Sequence, residues 1–448
     1  MNVKMTVNNR IELCNVAEGI LRGIKRCMTL DNPKYKEAED HGRWTGDLEP
    51  EIQLWEEIPG GIAFPRGWGM QCLDLLSKYN VQPEIIDQKR VLPPLDLIFQ
   101  GELRDYQLRA VYDVLQRPFG VLDAATGSGK TVMALAVIAE RRQPTLVLVH
   151  SKELLNQWAD RIRSFLGVEP GLIGDGKYDV QPVTVGIVNT VKKHLDSLPE
   201  HFGHIVVDEA HRTPATMFTE AVQAFDSKYM LGLTATPYRR DGLTKLIYIT
   251  LGDRVHSVDT DLLRATGAVM SPEIIRRETD FRYSYRDDYT RMISNLTQDP
   301  DRNRQIAADV IRQVRSRAGT ALVVSDRVAH CEAIQELVSA AGPRTQVLTG
   351  NTSKGRREAI VNAVQAGETD VLISTVQLLG EGFDCSGLSS LFLATPIKFK
   401  GRVLQVVGRI LRPQDGKRPV VYDYVDRRVG VLKAQSKSRA RALQEVAV

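Results

Sequence analysis

Apolar and polar positions form two stretches along the chain in which short apolar runs alternate with amphipathic segments. In the first stretch, runs rich in Val, Ile and Leu predict buried strands, and apolar residues at helical spacing predict helices. The predicted strands are residues 145–149, 183–188 and 205–207, and the predicted helices are residues 103–117, 132–141 and 153–166. This alternation favours a parallel sheet with helices on both faces.

A second stretch repeats the pattern. It predicts helices at residues 303–317, 329–340 and 354–365, and strands at residues 320–324, 346–348 and 370–373. Between the two stretches, residues 243–300 are rich in charge and tyrosine and break the alternation, so we expect a connecting region or an arm there. Residues 427–448 form a basic tail that we expect to be helical. The predicted fold class is therefore α/β, with two tandem parallel sheets flanked by helices.

Residues 1–97 lack the alternation and predict a small accessory domain that ends near Pro93 and Pro94. The remaining boundaries follow the pattern. The first α/β domain is predicted at residues 98–242, the connecting region at 243–300, the second α/β domain at 301–426 and the tail at 427–448.

Two pairs of a cation and an indole stand out in the predicted accessory domain. Arg43 with Trp44, and Arg66 with Trp68, could hold single-stranded bases by stacking. The alternative is that both indoles belong to the core of the small domain, because small domains often bury their few large rings. The sequence leaves these alternatives open.

The composition of the 448-residue chain excludes several classes of protein. The formal net charge of +4 permits nucleic-acid binding without requiring it. The five cysteines are far apart and form no Cys-x-x-Cys pair, so neither a zinc site nor a disulfide framework is expected. No apolar run approaches the ~20 residues of a membrane span and the N-terminus is polar, so we expect a cytoplasmic protein without a membrane anchor.

Residues 124–131 read Ala-Ala-Thr-Gly-Ser-Gly-Lys-Thr. An apolar stretch that ends in Gly120, Val121 and Leu122 predicts a strand before them, and the predicted helix at residues 132–141 follows. Glycines here would let backbone N–H groups turn toward a polyphosphate, Lys130 would reach the terminal phosphates, and Thr131 would ligate Mg²⁺. The alternative, a glycine-rich structural turn, does not explain the Lys-Thr pair after the glycines. The expected nucleotide-binding residues of this loop are Thr126, Gly127, Ser128, Gly129, Lys130 and Thr131.

Asp208 and Glu209 directly follow a predicted strand of the same stretch. A carboxylate at the carboxyl end of such a strand can hold Mg²⁺ jointly with Thr131, and the next carboxylate can deprotonate the attacking water. We therefore expect Asp208 to be a metal ligand and Glu209 the catalytic base. The alternative is a pair of surface carboxylates in the first turn of a helix.

The second α/β stretch contains no phosphate-binding loop of its own, so its contribution to nucleotide chemistry must come from groups supplied in trans. Arg409 and Arg412 are three residues apart and share one face of a helix, so both could point at the γ-phosphate. The alternative is a solvated cationic helix face, and the residues taken alone favour that alternative.

These residues coincide, in order and spacing, with the motifs of the superfamily 2 helicases. The chain resembles this family over about residues 103–425, with a DEAH sequence at residues 208–211. The corresponding segments are residues 106–107 (Q motif), 124–131 (I), 150–158 (Ia), 208–211 (II), 233–237 (III), 323–327 (IV), 374–384 (V) and 405–412 (VI).

The resemblance implies two RecA-like domains that close on ATP and Mg²⁺, with nucleic acid lying across both. It implies that Lys130, Glu209, Arg409 and Arg412 act in catalysis. It also implies that Tyr106, Gln107, Gly382 and Asp384 bind the nucleotide. Contacts to backbone phosphates are implied for Ser151, Lys152, Thr190, Ser325 and Thr375.

Gln157 with Trp158, the tripeptide at residues 239–241 and the aromatic N-terminal region resemble the XPB group and, more closely, branch-migration helicases of the UvsW type. This resemblance implies a DNA helicase that acts 3′ to 5′ on single-stranded, forked or branched DNA, with residues 1–97 recognising the substrate or a protein partner. We expect the chain to act as a monomer. Three alternatives stay open, namely an RNA helicase, the motor subunit of a larger restriction or remodelling complex, and a nucleotide-gated DNA clamp.

Overall fold

The computed structural model describes residues 2–125, 127–209, 215–235, 243–316, 319–379, 387–397, 403, 406–408, 410–411 and 417–447. The chain divides into two compact units. The first comprises Met1–Ala125 and Gly129–Asp259, and the second comprises Thr126–Ser128 and Thr260–Val448. Within the described part of the chain, no helix is both long and apolar enough to cross a membrane.

The N-terminal part of the first unit is a small mixed sheet with helices packed on it. Its strands are β1 (Lys4–Val7), β2 (Ile11–Cys14), β3 (Thr29–Asp31), β4 (Glu51–Gln53), β5 (Glu56–Ile58), β6 (Gly61–Phe64) and β7 (Glu84–Asp87). Its helices are α1 (Glu18–Cys27), α2 (Pro33–Asp40) and α3 (Gly69–Lys78). The sheet order is β5-β6-β2-β1-β7, and β3 pairs with β4 separately. The buried face of α1, with Ile20 and Ile24, belongs to the core of this part.

The two predicted cation and indole pairs have different surroundings. Trp68 packs edge-on against Phe64, with ring centroids 5.6 Å apart, and belongs to the margin of the core. Arg66 is buried, and this favours the alternative in which the Arg66 and Trp68 pair packs within the protein over stacking on nucleic-acid bases. Trp44 is 89% exposed and is not a core residue. It lies in a segment, residues 31–51, with seven acidic and three basic residues, and this acidity disfavours contact with phosphates.

The rest of the first unit is an α/β sheet. Its strands are β8 (Phe119–Asp123), β9 (Thr145–Val149), β10 (Gly171–Gly174), β11 (Lys177–Tyr178), β12 (Val183–Ile187), β13 (His204–Val207), β14 (Tyr229–Thr234) and β15 (Arg254–Ser257). Its helices are α4 (Asp105–Leu115), α5 (Lys130–Arg141), α6 (Lys152–Leu166), α7 (Val188–Val191), α8 (Ala215–Gln223) and α9 (Thr244–Leu251). The order is β11-β10-β12-β9-β13-β14-β8-β15, and all neighbours are parallel except β10 and β11. Parallel pairing brings the carboxyl ends of β8, β9, β12 and β13 to one edge.

The N-terminal part is packed directly on this α/β sheet. The Arg66 guanidinium donates to the carbonyl oxygens of Asn8, at 2.9 Å, and Ser227, at 2.7 Å, and lies over the Phe119 ring. Burial lowers the pKa of Arg66 to about 9. Gly67 approaches α9 so closely that a Cβ atom there would lie 2.6 Å from the carbonyl oxygen of Ile249. Residues 1–97 are therefore fixed to the first sheet by a buried interface.

The second unit is a parallel α/β sheet. Its strands are β16 (Glu273–Glu278), β17 (Thr320–Ser325), β18 (Thr345–Leu348), β19 (Val371–Thr375), β20 (Leu388–Leu393) and β21 (Val420–Val425). Its helices are α10 (Thr260–Ala265), α11 (Tyr289–Gln298), α12 (Pro300–Ser316), α13 (Val328–Ser339), α14 (Lys354–Gln365), α15 (Val376–Leu379) and α16 (Gly430–Ala447). The order is β16-β21-β20-β17-β19-β18, with every neighbouring pair parallel.

Two segments that were predicted to lie outside the α/β domains, residues 243–300 and residues 427–448, are packed into the two units of the structure. Residues 243–300 contribute β15 to the first sheet and β16 to the second, so they are divided between the two units. The basic tail is the helix α16, as expected, and it is fixed to the second sheet by Arg439. The Arg439 guanidinium is buried, forms an ion pair with Asp423 and donates to the carbonyl oxygen of Tyr424 at 2.9 Å.

A buried histidine links three elements of the second unit. His330 on α13 is 1% exposed, and its Nε2 lies 2.9 Å from Asn303 Oδ1 while its Nδ1 lies 2.9 Å from Ser325 Oγ. Because the amide oxygen can only accept, Nε2 carries the proton and Nδ1 accepts from the Ser325 hydroxyl. Burial, together with the charge of Arg302, lowers the pKa of His330 to about 3.

This histidine is expected to make the second unit sensitive to acid. Between the ordinary histidine pKa of 6.5 and about 3, the unfolded chain binds a proton that the native chain does not, so stability falls as pH falls. From about pH 6.5 to about pH 5 the loss is about 2 kcal/mol. Urea unfolding followed by circular dichroism should show a flatter pH dependence in His330→Gln than in the wild-type chain. The control is the exposed His201, whose replacement by Gln should preserve the slope, and an unchanged slope in His330→Gln would contradict the assignment.

Candidate active site

The loop between β8 and α5 has the backbone geometry of a phosphate cradle. Gly127 and Gly129 have φ angles of +90° and +83°, which glycine adopts without the steric cost that a side chain adds. The loop begins with a hydrogen bond, at 3.0 Å, from Ala124 N to the carbonyl oxygen of Thr234 on the neighbouring strand β14. Lys130 Nζ donates to the carbonyl oxygen of Ala124 at 2.8 Å, so the ammonium group lies at the loop.

Helix α4 brings Gln107 against this loop. A Cβ atom on Gly129 would lie 2.4 Å from Gln107 Nε2, so the glutamine amide occupies the space beside the loop. The side chain is buried, and its Oε1 accepts a hydrogen bond from Arg104 N at 3.0 Å, which begins α4. The neighbouring Tyr106 is also buried. The structure therefore places Gln107 of the predicted Q motif beside the loop.

Asp208 and Glu209 follow β13, which is separated from β8 by β14. The Asp208 carboxylate is buried and accepts two hydrogen bonds, from Trp158 Nε1 to Oδ2 at 2.8 Å and from Glu209 N to Oδ1 at 2.9 Å. Burial and the adjacent Glu209 charge raise the pKa of Asp208 to about 6, although the Trp158 hydrogen bond and the charge of Lys130 oppose the shift. Glu209 has a φ angle of +49°, a conformation that costs energy for a residue with a side chain.

Trp158 is a site residue that motif spacing did not assign to this role. Its indole lies on the buried face of α6 and its N–H fixes one carboxylate oxygen of Asp208. The available signal was an indole on the apolar face of a predicted helix, because a buried indole N–H needs an acceptor. That signal does not say which acceptor is used.

Asp123 is a second residue that the sequence analysis missed. It ends β8 directly before the loop, and its carboxylate lies 3.7 Å from the Arg254 guanidinium. Burial raises the pKa of Asp123, and the charges of Arg254 and Lys130 oppose this shift. The position of an acidic residue between a buried strand and a glycine-rich loop was the available signal.

These residues fit a nucleotide with a bound divalent cation. Backbone N–H groups at the start of α5, together with Lys130, provide donors for phosphate oxygens. Asp208 and Glu209 place two carboxylates next to each other in a buried site, where each charge raises the energy of the other and a cation would relieve it. Thr131 lies in the first turn of α5, where its hydroxyl can serve as a ligand.

The residues expected to bind nucleic-acid phosphates in the first unit follow neighbouring strands. Ser151 comes after β9 and caps α6 by accepting a hydrogen bond from Leu154 N, and Lys152 forms an ion pair with Asp175. Thr190 lies in α7, directly after β12, and β9 pairs with β12. All three are therefore at the edge of the sheet that carries the glycine-rich loop, and their role in binding stays a prediction.

In the second unit, Ser325 and Thr375 are register partners at the ends of β17 and β19. Ser325 is 1% exposed, and its hydroxyl contacts His330 and accepts a hydrogen bond from Arg327 N at 3.1 Å. This burial argues against a direct phosphate contact by Ser325. Five predicted site residues lie outside the described residues, and their roles stay predictions: Thr126, Gly382, Asp384, Arg409 and Arg412.

Two protein families match the chain. The family described as "Type III restriction enzyme, res subunit" matches residues 100–239. The family described as "Helicase conserved C-terminal domain" matches residues 304–414. The first match contains the glycine-rich loop and Asp208, and the second contains Arg409 and Arg412.

Relatives with similar sequences are named helicases or translocases. "Probable helicase D10" of Escherichia phage T5 is 28% identical over 357 residues, which cover 79% of this chain and 78% of that protein. "DNA 3'-5' translocase XPB2" of Sulfurisphaera tokodaii is 26% identical over 385 residues, which cover 76% and 86%. "Putative helicase 109L" of Invertebrate iridescent virus 3 is 32% identical over 252 residues, which cover 53% and 74%.

A solved structure supports the fold class. A fragment of a putative HsdR subunit of a type I restriction enzyme from Vibrio vulnificus has a TM-score of 0.60, with 77% of this chain and 66% of that chain covered. At 20% sequence identity this likeness concerns the fold alone. The predicted fold class, two tandem RecA-like α/β domains, is confirmed.

Proposed function

Since the chain belongs to the superfamily 2 helicases, enzymes that couple ATP hydrolysis to nucleic-acid unwinding, we propose that it unwinds or translocates along DNA in the 3′ to 5′ direction. Forked or branched DNA is the proposed substrate, in replication, recombination or repair. The observation that supports DNA is the similarity to the relative named a DNA 3'-5' translocase, which extends over most of both chains.

The proposed ATPase chemistry begins at the glycine-rich loop. The N–H groups at the start of α5 bind the phosphates, and Lys130 exchanges its hydrogen bond to the Ala124 carbonyl for one to a terminal phosphate oxygen. When bound, Mg²⁺ neutralises charge on the β- and γ-phosphates, and Thr131 and Asp208 are the residues that would hold it. Gln107 recognises the adenine edge from its place beside the loop.

The proposed hydrolytic step uses Glu209. Its carboxylate takes a proton from the attacking water, while the Asp208 carboxylate stays fixed by Trp158 and by the Glu209 backbone N–H. Arg409 and Arg412 are proposed to stabilise the charge that develops on the γ-phosphate. The sequence of the second domain contains no phosphate-binding loop of its own. In this proposal the second domain therefore contributes to ATP hydrolysis through these two arginines.

An ATP-dependent unwinding panel tests the proposed substrate. We expect unwinding of DNA with a 3′ tail, of forks and of four-way junctions, and weak activity on DNA with a 5′ tail and on RNA duplexes. Preferential unwinding of RNA would overturn the assignment to DNA, and a preference for 5′ tails would overturn the direction. A chain that hydrolyses ATP but unwinds only with added proteins would support the motor-subunit alternative.

The contribution of residues 1–97 to substrate choice is better tested by a point variant than by deletion. Removal of these residues would expose Ile249 of α9, which belongs to the core of the N-terminal part. Trp44→Ala changes an exposed side chain and leaves that core intact. If the accessory domain reads branched DNA through Trp44, this variant should lose the junction preference while ATPase activity on single-stranded DNA stays unchanged.

A further inference from the structure

The basic residues of the C-terminal segment fall into two structural groups. Arg427 forms an ion pair with Glu278 at 2.6 Å, Arg428 with Asp280 at 2.7 Å, and the buried Arg439 with Asp423. The other three are exposed: Lys433, Lys437 and Arg441. Among the side chains that the structure describes, none forms an ion pair with any of these three.

These three cations form a row on one face of α16. They are spaced four residues apart, so successive side chains lie about 6 Å apart along the axis and the row is about 12 Å long. Like charges at this spacing repel one another and destabilise a helix. In the sequence of α16 the only acidic residue is Glu445, four residues after Arg441, so the helix itself can offset at most one of the three positive charges. An anionic partner would offset it.

The opposite face of α16 holds the row in a fixed position. Leu432, Ser436 and Leu443 are buried, and Arg276 on β16 donates to the carbonyl oxygen of Ser436 at 3.5 Å. The Arg439 and Asp423 ion pair lies on this inner face. Because the helix is anchored through these contacts, the outward row is presented on a rigid surface of the second unit.

We propose that Lys433, Lys437 and Arg441, the α16 cation row, bind the phosphate backbone of the nucleic acid on which the chain acts. A row about 12 Å long matches three to four phosphates of one duplex strand, at about 3.4 Å each. The contact reads no base sequence, as a motor that moves along its substrate requires. This inference rests on the proposed function and adds a contact in the second unit outside the helicase motifs.

The test is the salt dependence of DNA binding by the full-length chain. The affinity is measured by fluorescence anisotropy from about 50 to about 200 mM NaCl. In the triple variant Lys433→Gln, Lys437→Gln, Arg441→Gln, the negative slope of log affinity against log salt should become shallower, by about 2 for single-stranded DNA and by about 3 for duplex DNA. ATPase activity without DNA should stay unchanged. The charge-preserving variant Lys433→Arg, Lys437→Arg, Arg441→Lys should keep the wild-type slope.

A matched control removes the same charge elsewhere. Lys4, Arg22 and Lys78 are exposed in the N-terminal part, and their replacement by Gln should leave the slope unchanged. If the slope became shallower by the same amount in this control, the effect would be one of net charge alone and the proposal would be overturned. A wild-type slope in the α16 variant would also overturn it. Loss of binding only to vesicles of phosphatidylserine and phosphatidylcholine would assign the row to a membrane surface and also overturn it. A wild-type chain that does not unwind DNA would contradict the proposed function instead.

Discussion

Replacement of Glu209 by Gln is expected to lower the DNA-stimulated ATPase turnover by about 10³-fold and to leave ATP binding intact. A positioned general base contributes a factor of this order, and the glutamine amide cannot accept the proton of the attacking water. The substitution preserves the size of the side chain, so it should preserve the backbone N–H contact between Glu209 and Asp208. The measurements are steady-state hydrolysis and the binding of a fluorescent ATP analogue.

Two comparisons make this result specific. Glu140→Gln removes one exposed carboxylate at the end of α5 and should hydrolyse ATP at the wild-type rate. Asp208→Asn should weaken ATP binding in the presence of Mg²⁺, whereas Glu209→Gln should not, because the two carboxylates have different proposed roles. Hydrolysis by Glu209→Gln at the original rate with DNA present would remove Glu209 from the mechanism.

Replacement of Trp158 by Phe is expected to raise the Mg²⁺ concentration needed for half-maximal ATPase activity by about 10-fold to about 100-fold, the range found when partners that orient metal ligands are removed. The indole N–H fixes Asp208 Oδ2 at 2.8 Å in a buried site. Its loss leaves that oxygen without this donor and further raises the pKa of Asp208, which already lies near 6. Protons should therefore compete with Mg²⁺ for the Asp208 carboxylate at a higher pH in this variant than in the wild-type chain.

The Mg²⁺ and pH dependence separates positioning by Trp158 from a general loss of packing. High Mg²⁺ should restore most of the turnover of Trp158→Phe, and the acid limb of its pH profile should shift upward. Trp55→Phe is the control, because Trp55 also donates its indole N–H within the first unit, to Thr29 Oγ1 at 3.1 Å, far from Asp208 along the chain. A turnover defect in Trp158→Phe that Mg²⁺ does not relieve would contradict the positioning role.

Several elements follow from local sequence. The predicted helix at residues 354–365 coincides with α14, and the predicted strand at residues 145–149 coincides with β9. The glycine-rich loop was found because its residues are contiguous, and the structure gives two of its glycines positive φ angles, which glycine adopts without steric cost. Asp208 and Glu209 were found because parallel strands direct their carboxyl ends to one edge. In each case the chemistry depends on neighbours along the chain.

Other features depend on residues that are distant along the chain. The hydrogen bond between Trp158 and Asp208 joins residues 50 positions apart, and the Arg66 contact with Ser227 joins residues 161 positions apart. Periodicity indicates that such a side chain is buried, but it does not identify the partner. For this reason the sequence could offer Arg66 only as a candidate partner of nucleic-acid bases, whereas the structure shows that it is a buried interface residue.

The sequence alone determined the two α/β domains, the nucleotide loop and the acidic pair, because each is encoded by local spacing and by residue types with few alternative uses. The tertiary structure decided which cations are available. It pairs Arg427, Arg428 and Arg439 with acids of the second unit, and it leaves the α16 cation row exposed. Composition could not make this division, since whether a charge is paired or solvated depends on side chains brought close only by the folding of distant segments.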